Sequence, residues 1–378
     1  MSRRAEIIGW GMYVPKQVLT NGDLAQTVDT SDEWIRTRTG IERRHVAGAG
    51  ESTAQMAIEA ARAALRVADA DPRAIDLIIV GTSTPDHLMP STACQVQNAL
   101  GATRAGAFDL NAACSSFVYA LAMGHQAIAS GEHRLVLVIG ADTLTRFVDW
   151  QDRSTCVLFG DGAGAVLLRA TEGPAGILAT LLGSDGSGGD LLIIPAGGSA
   201  LPPSKESVEK GLHYLRMNGQ EVYRFATQTL AQATEEVAKR AGLKPDQIDL
   251  IIPHQANLRI ITTAAKRLKL PLERFVVNLQ EYGNTSAASV PIALCEALEA
   301  GRINPGQNIV LVGFGAGLTW AAVALKWSIS PARAVSPAYR VWWRWLLYRW
   351  AGIRSRLRQA TRHVTVWLIR LANRIGHR

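Results

Sequence analysis

The chain has 378 residues, 48% of them hydrophobic and 19% charged. That is enough apolar material for a large core, and the length suits two domains or one large duplicated one. Four cysteines, Cys94, Cys114, Cys156 and Cys295, are scattered without a C-x-x-C pair, which excludes a disulfide framework and a cysteine zinc site. The formal charge of +8 is concentrated at one end. Ser328 to Arg378 holds 11 Arg, no Lys and no Asp or Glu, so the remaining 327 residues carry −3. The body is therefore near neutral, and its charge gives no reason to expect a nucleic-acid partner.

The N-terminus has basic residues but no long apolar run. Ile7-Ile8 reads as a first strand, not as a signal peptide. With its free thiols the chain is expected to work in a reducing, cytoplasmic compartment. Short apolar runs alternate with helical patterns up to residue 327, which predicts an α/β class. Strands are expected at Leu77–Val80, Leu135–Ile139, Ala165–Leu168, Leu250–Ile252, Val276–Leu279 and Ile309–Val312. Helices are expected at Ser52–Ala68, Cys114–Ser130, Glu221–Ala241 and Ala287–Ala300, with Gly131 and Gly301 placed to end two of them. Residues 184–211, rich in Gly, Ser and Pro, read as a long excursion.

The two halves echo each other. Ile75-Asp-Leu-Ile-Ile79 recurs as Ile248-Asp-Leu-Ile-Ile252, and Phe159-Gly-Asp-Gly-Ala-Gly164 resembles Phe314-Gly-Ala-Gly317. Echoes in the same order predict a duplication, with halves at 1–172 and 173–327 and a site between equivalent elements.

Three residues carry candidate chemistry. Cys114 follows a short strand and small residues and opens a helix, where unpaired amides and the helix dipole favour a thiolate. Cys94 and Cys295 lie on apolar helix faces and read as buried structural thiols. His254, in Pro253-His-Gln-Ala-Asn257, directly follows a buried strand, where α/β proteins place catalytic groups. Asn284, in Gly283-Asn-Thr-Ser286, reads by itself as turn and N-cap chemistry.

Taken with the longer strings around them, these residues resemble the β-ketoacyl-acyl-carrier-protein synthase III family of the thiolase-like superfamily, from about Ile7 to Trp327. The resemblance rests on Thr30-Ser-Asp-Glu-Trp-Ile-Arg-Thr-Arg-Thr-Gly-Ile41, on the Cys114 and Phe159 segments, on His254-Gln-Ala-Asn-Leu-Arg-Ile260, on Gly283-Asn-Thr-Ser-Ala-Ala-Ser-Val-Pro291 and on Gly313-Phe-Gly-Ala-Gly-Leu-Thr-Trp320. It implies a duplicated five-layer αβαβα fold. It also implies a decarboxylative condensation of an acyl-CoA primer with malonyl-acyl-carrier protein that initiates fatty acid synthesis. Cys114 would hold the acyl group. His254 and Asn284 would stabilise the malonyl thioester oxygen, and the backbone amides of Cys114 and Ala316 would form an oxyanion hole. The family often has Gly where Ala316 stands, and Ala supplies the same amide. Trp34, Arg38 and Arg153 would hold CoA, while Arg224, Arg259, Lys266 and Arg267 would dock the acidic carrier protein. Met89 would cross a homodimer interface and close the partner's primer pocket. CoA and phosphopantetheine thioesters are implied as substrates, with no metal and no permanently bound cofactor.

Other readings remain open at this point. A starter synthase or acyltransferase of a secondary pathway would share the triad, and a non-catalytic acyl-binding subunit would have no need of it. The segment 328–378 lies beyond the resemblance. Trp342, Leu346, Trp350, Ile353 and Leu357, then Val364, Trp367, Leu371 and Ile375, recur at spacings of three and four, with Arg344, Arg354, Arg358, Arg362, Arg370 and Arg374 between them. This predicts one or two amphipathic helices suited either to an anionic membrane surface or to packing on the body.

Overall fold

The computed structural model describes residues 3–329 and 338–375. In the first half, strand β1 (Arg4–Tyr13) precedes helices α1 (Asp32–Thr39) and α2 (Thr53–Val67). Then come β2 (Leu77–Gly81), α3 (Thr92–Leu100), β3 (Gly106–Leu110), α4 (Ser116–Ala129), β4 (Leu135–Asp142) and β5 (Gly162–Thr171). The second half contains β6 (Gly176–Ser184), α5 (Gly219–Arg240), β7 (Leu250–Pro253), α6 (Leu258–Leu268), α7 (Ser289–Glu299), β8 (Asn308–Gly315) and β9 (Thr319–Lys326). One further helix, α8, spans Ala338–Ile375.

Two sheets result. The first has strand order β1-β5-β4-β2-β3, the second β6-β9-β8-β7. Both are mixed in the same way. β2 runs parallel to β3 and β4 and β7 runs parallel to β8, whereas β5 is antiparallel to β1 and β4 and β9 is antiparallel to β6 and β8. The echo seen in the sequence is one of register: β2 and β7, α4 and α7, and β4 and β8 each start 173 residues apart, at 77 and 250, 116 and 289, and 135 and 308. The counterpart of β3 is reduced to a single parallel bridge from Phe275 to Ile251. Val276–Leu279 is therefore not a strand; Leu279 opens a one-turn helix, Leu279–Tyr282. Its apolar run is explained by packing under that turn, not by a ladder.

Both sheets are buried on both faces, which is why their strands read as continuous apolar runs. Ile78 and Val80 face one core with Met56 and Leu65 of α2, whereas Ile79 faces the central core with Phe117 and Leu121 of α4. Helices α4 and α7 lie between the sheets, and Leu294, Ile252 and Val323 close that core from the other side. Leu230 and Val237 of α5 and Ile261 of α6 cover the outer face of the second sheet. Helix α2 begins after Ser52, whose hydroxyl accepts the Gln55 amide.

Cys295 is buried as expected, but Cys94 is exposed, because it lies at the open edge of the first sheet, its thiol donating to the Ala107 carbonyl of the end strand β3. The excursion after residue 184 is ordered. It forms a two-residue ladder, Leu192–Ile193 with Arg216–Met217. Among the described residues no helix is long and apolar enough to cross a membrane.

The halves meet without slack at Gly140. A Cβ there would lie 2.3 Å from the Ala287 carbonyl oxygen and 2.8 Å from Phe117 Cβ. Gly140→Ala is expected to destabilise the protein by about 1–3 kcal/mol, the usual cost of overpacking. Gly198→Ala, where an added Cβ meets nothing within 4 Å, is expected to change little. Denaturant unfolding of both variants checks this, and equal stability would refute the tight contact.

Candidate active site

Cys114 sits on a turn held by its neighbours' side chains. Ala113 is left-handed at φ 51°, a conformation costing about 1–2 kcal/mol for a residue with a Cβ. The turn is held nonetheless. Asn111 Oδ1 accepts the Ala113 amide (3.0 Å), Ser116 Oγ accepts the Ala112 amide (2.8 Å), and the Ser115 hydroxyl donates to the Ala112 carbonyl (2.6 Å). The small residues around the cysteine thus build the turn as well as leaving room. Thr319 of β9 also donates to the Ala112 carbonyl at 2.8 Å, tying the turn to the second half. A Cβ on Gly315 would fall 2.6 Å from the Cys114 nitrogen, so the Gly315-Ala316 segment lies against the cysteine amide.

The thiol is buried and accepts a hydrogen bond from the Ser286 hydroxyl at 3.4 Å. Burial pushes it up to about 12; the Ser286 hydrogen bond works against that rise and the carboxylate of Asp142 adds to it. The helix N-terminus was expected to favour a thiolate. In the resting site desolvation outweighs it, and Cys114 is a thiol.

His254 follows the last residue of β7, and its amide donates to the Val312 carbonyl (2.8 Å). Nδ1 lies 2.5 Å from Ser289 Oγ, and the Gln255 amide donates to the same oxygen at 3.4 Å. Nδ1 is the one acceptor within reach of the Ser289 hydroxyl among the described residues, so that hydroxyl is satisfied when it donates to Nδ1. That places the imidazole proton on Nε2. Phe314 meets the ring edge-on, 5.0 Å between centroids. Burial alone lowers the imidazole to about 3, so His254 is neutral at any working pH.

Asn284 is held by backbone pairing with the first half. Its amide donates to the Leu158 carbonyl (2.8 Å) and its carbonyl accepts the Gly160 amide (3.0 Å). Its Oδ1 accepts the Ser286 amide at 2.9 Å, which leaves the side-chain NH2 as the free end. Gly160 is required here, since a Cβ would stand 2.3 Å from the Tyr282 carbonyl oxygen. Behind the loop Arg44 is fully buried, donating to the Leu19 and Val157 carbonyls and to Asn21 Oδ1.

Two supports escaped the sequence reading. Gln255 donates to the Pro253 and Val276 carbonyls and accepts the Asn278 amide. Asn278 and Tyr282 both donate to Glu296, so one chain of bonds joins the loops of His254 and Asn284. Asp142, at the end of β4, accepts from Thr82, Ser83 and Thr84 and, across the halves, from the Ala287 amide at 3.0 Å. Each lies beside a string that the sequence does single out, but the contacts are long-range and leave no local pattern.

Cys114, His254 and Asn284 line one cleft of about 640 Å³, walled by Phe159, Phe314 and Ile260, with Leu192 and Met217 contributed by the ordered excursion. Basic and aromatic groups sit at its edge. Arg259 lies over the Tyr223 ring at 5.4 Å, and Tyr223 lines the cleft. Asn257 donates to the Arg38 carbonyl. The guanidinium groups of Arg38 and Arg153 lie 4.6 and 4.8 Å from the Trp34 ring centroid.

Comparison with known proteins decides what this arrangement belongs to. Residues 108–186 match the family model for 3-oxoacyl-[acyl-carrier-protein] synthase III, and residues 238–327 match that for its C-terminal part. A β-ketoacyl-[acyl-carrier-protein] synthase III of Roseiflexus sp. is 52% identical over 328 residues, 87% of this chain and 100% of the relative. Its counterpart in Caldanaerobacter subterraneus is 54% identical over 324 residues, 86% of this chain and 98% of the relative. The crystal structure of the Aquifex aeolicus synthase III is 48% identical with a TM-score of 0.79, covering 85% of this chain and 100% of that one.

The chain belongs to the β-ketoacyl-[acyl-carrier-protein] synthase III family.

Its fold is accordingly the duplicated thiolase-like one, and its activity is that of a condensing acyltransferase of fatty acid synthesis. Of the other residues expected to serve a synthase III, Arg224 is exposed and pairs with Glu221 at 3.2 Å, and Lys266 and Arg267 are exposed on the last turn of α6. Met89 is 84% exposed and does not line the cleft of its own chain. The C-terminal family match ends at residue 327, and α8 lies beyond it.

The neutral His254 has a consequence for stability. Its folded pKa lies below the unfolded value, so the unfolded chain takes up the proton first. Stability from this group is complete above pH 6.5 and is lost as pH falls from there toward 3. Between pH 7 and pH 5 the protein is expected to lose about 2 kcal/mol more than its His254→Gln variant. Urea unfolding at the two pH values measures the difference, and parallel losses would show that the imidazole is not held neutral.

Proposed function

We propose that Cys114, His254 and Asn284 perform a two-stage condensation. In the first stage the Cys114 sulfur attacks an acyl-CoA carbonyl, the C–S bond to CoA breaks, and the thiol proton leaves with CoA. In the second, malonyl-acyl-carrier protein occupies the same cleft. The His254 Nε2–H and the Asn284 NH2 donate to its thioester oxygen. As carbon dioxide leaves, the charge that develops on that oxygen meets two fixed donors in a dry site. The resulting enolate carbon attacks the acyl-Cys114 carbonyl, whose oxygen takes the amides of Cys114 and Ala316. The C–S bond to Cys114 then breaks, the β-ketoacyl-carrier protein leaves, and the released thiolate takes up a proton from solvent to restore the thiol.

One observation carries this reading: His254 and Asn284 each have their acceptor atom occupied, by Ser289 and by Ser286, which leaves only donors for the cleft. CoA would place its adenine against Trp34, with Arg38 and Arg153 as cationic partners. Arg224, Arg259, Lys266 and Arg267 would dock the acidic carrier protein. A homodimer is supported by the open edge of β3, where Phe108 is 41% exposed, and by Leu88 and Met89, 87% and 84% exposed. Met89 would reach the partner's primer pocket. The halves would divide at residue 172, and the enzyme would act in the cytoplasm.

Three variants test the roles. Cys114→Ala is expected to abolish covalent acylation by acyl-CoA with the fold retained. His254→Ala and Asn284→Ala should each slow malonyl decarboxylation by about 10²–10³ while leaving acylation of Cys114 closer to normal. Single-turnover acylation followed by mass spectrometry, beside carbon dioxide release, separates the stages. Variants that decarboxylate normally but fail to acylate would reverse the assignment.

A further inference from the structure

The described part of α8 has two unlike sides. One side is fixed to the body. Ala351 is 5% exposed, and a Cβ on Gly101 would lie 3.2 Å from its Cβ. Asn98 of α3 donates to Ser355 Oγ at 3.0 Å, and the Arg62 guanidinium of α2 lies 4.9 Å from the Tyr348 ring. The tail therefore packs on the first half, as one of its two expected fates required.

The other side is apolar and uncovered. Trp350, Ile353, Leu357, Val364 and Trp367 are 65%, 48%, 62%, 55% and 60% exposed. Their spacings of three, four and seven place them on one stripe, about 25 Å long at 1.5 Å per residue. Beside it, a groove walled by Leu100, Leu347 and Trp350 adds apolar surface next to the body. Arg354, Arg356, Arg358 and Arg362 are exposed around the rest of the helix, and residues 328–378 contain no Asp or Glu. The side chains of Trp342, Arg344, Arg370, Leu371, Arg374 and Ile375 lie outside the described residues.

We infer that α8 is a docked bracket that seats this enzyme on an anionic lipid bilayer, with the Trp350–Trp367 stripe in the interface and the arginines at the headgroups. Three properties select this occupant. The stripe runs along one side of a single helix from Trp350 to Trp367, which suits a plane better than a globular partner. Its tryptophans and arginines belong at the boundary between headgroup and acyl chain. Its charge is of one sign only. A second copy of the helix would also fit a seam of this spacing, but the flanking Arg354 and Arg356 would then face like charge with no acid in the segment to pair with. Docking through Ala351 and Ser355 holds the stripe outward, so membrane contact needs no release of the helix from the body.

Co-sedimentation of the full chain with phosphatidylglycerol-containing vesicles and with pure phosphatidylcholine vesicles tests the inference, at low and high salt. The intact protein should pellet with the anionic vesicles at low salt, with at least tenfold weaker partition at high salt and on phosphatidylcholine. Trp350→Ser with Trp367→Ser should lower anionic partition at least tenfold while condensation in solution and thermal stability stay at wild-type levels. Binding to neither vesicle, equal binding to both, or an unaffected double variant would overturn the proposal. So would sedimentation velocity showing that the double substitution dissolves an oligomer, or loss of carrier-protein binding in place of vesicle binding.

Discussion

The backbone pairing of Asn284 with the first half is the constraint on which the site depends. Cys114 is held by one half of the chain and His254 by the other, and only the inter-half contact fixes the distance between them. That contact is made of two main-chain hydrogen bonds, Asn284 with the Leu158 carbonyl and the Gly160 amide, and of the Ala287 amide donating to the Asp142 carboxylate, at positions where neighbouring glycines let backbones touch. Main-chain bonds in a buried seam cannot lengthen by much before they are lost and leave polar groups unsatisfied. The seam therefore holds Cys114, His254 and Asn284 in one register more firmly than side-chain packing alone would.

The same seam explains the electrostatics. Every group facing the reacting centre is neutral at rest: a thiol raised by burial, an imidazole lowered by it and an amide. The nearby carboxylate, Asp142, has its oxygens turned to Thr82, Ser83, Thr84 and Ala287, so its charge is met by donors away from the cleft. A buried site whose lining carries no Asp, Glu, Lys or Arg is one in which N–H donors act more strongly than they would in water. The low imidazole pKa is then an asset. A His254 that charged at neutral pH would leave Ser289 with the wrong hydrogen-bonding role, because an imidazolium donates from both nitrogens.

How much of this was legible in the sequence depended on the range of the interaction. Strands, central helices and the duplication follow from local periodicity, and Gly131 and Gly301 fall at positive φ where helices end. Cys114 and His254 stood out because each follows a strand and sits among polar or small residues, whereas Asn284 read by itself as a turn and entered only through the longer strings around it. Legibility stopped where a property is set by packing at a distance. The Val276–Leu279 run looks like a strand, yet only Phe275 reaches its neighbour. Cys94 lies in an apolar helix pattern, but it sits over the end strand β3, beyond which the chain places no further strand among the described residues. Cys114 opens a helix, but no local pattern tells that its sulfur is dry. The Gln255–Asn278–Glu296 chain joins residues that the sequence separates by 18 and 23 positions.

The duplication also accounts for the choice of residues at the centre. Asn284 stands 173 positions after Asn111, and the two play the same local part: each Oδ1 accepts the amide two residues on, at Ser286 and at Ala113. Those next residues are both left-handed, at φ 50° and 51°, and each is followed by a helix that starts at the same offset. The asparagine is thus first a turn-forming residue, as its sequence context suggested. Only the second copy of the turn brings its asparagine to the cleft, which Asn284 lines and Asn111 does not. At the next equivalent pair the halves differ, with Cys114 in one and Ala287 in the other. The position equivalent to His254 is Gly81, where a Cβ would stand 2.7 Å from the Ser116 carbonyl carbon, so α4 passes too close for an imidazole. The repeated turn therefore carries the thiol in the first half, while the second half carries the imidazole and the free amide NH2, and Gly81 leaves the first half no room for an imidazole of its own.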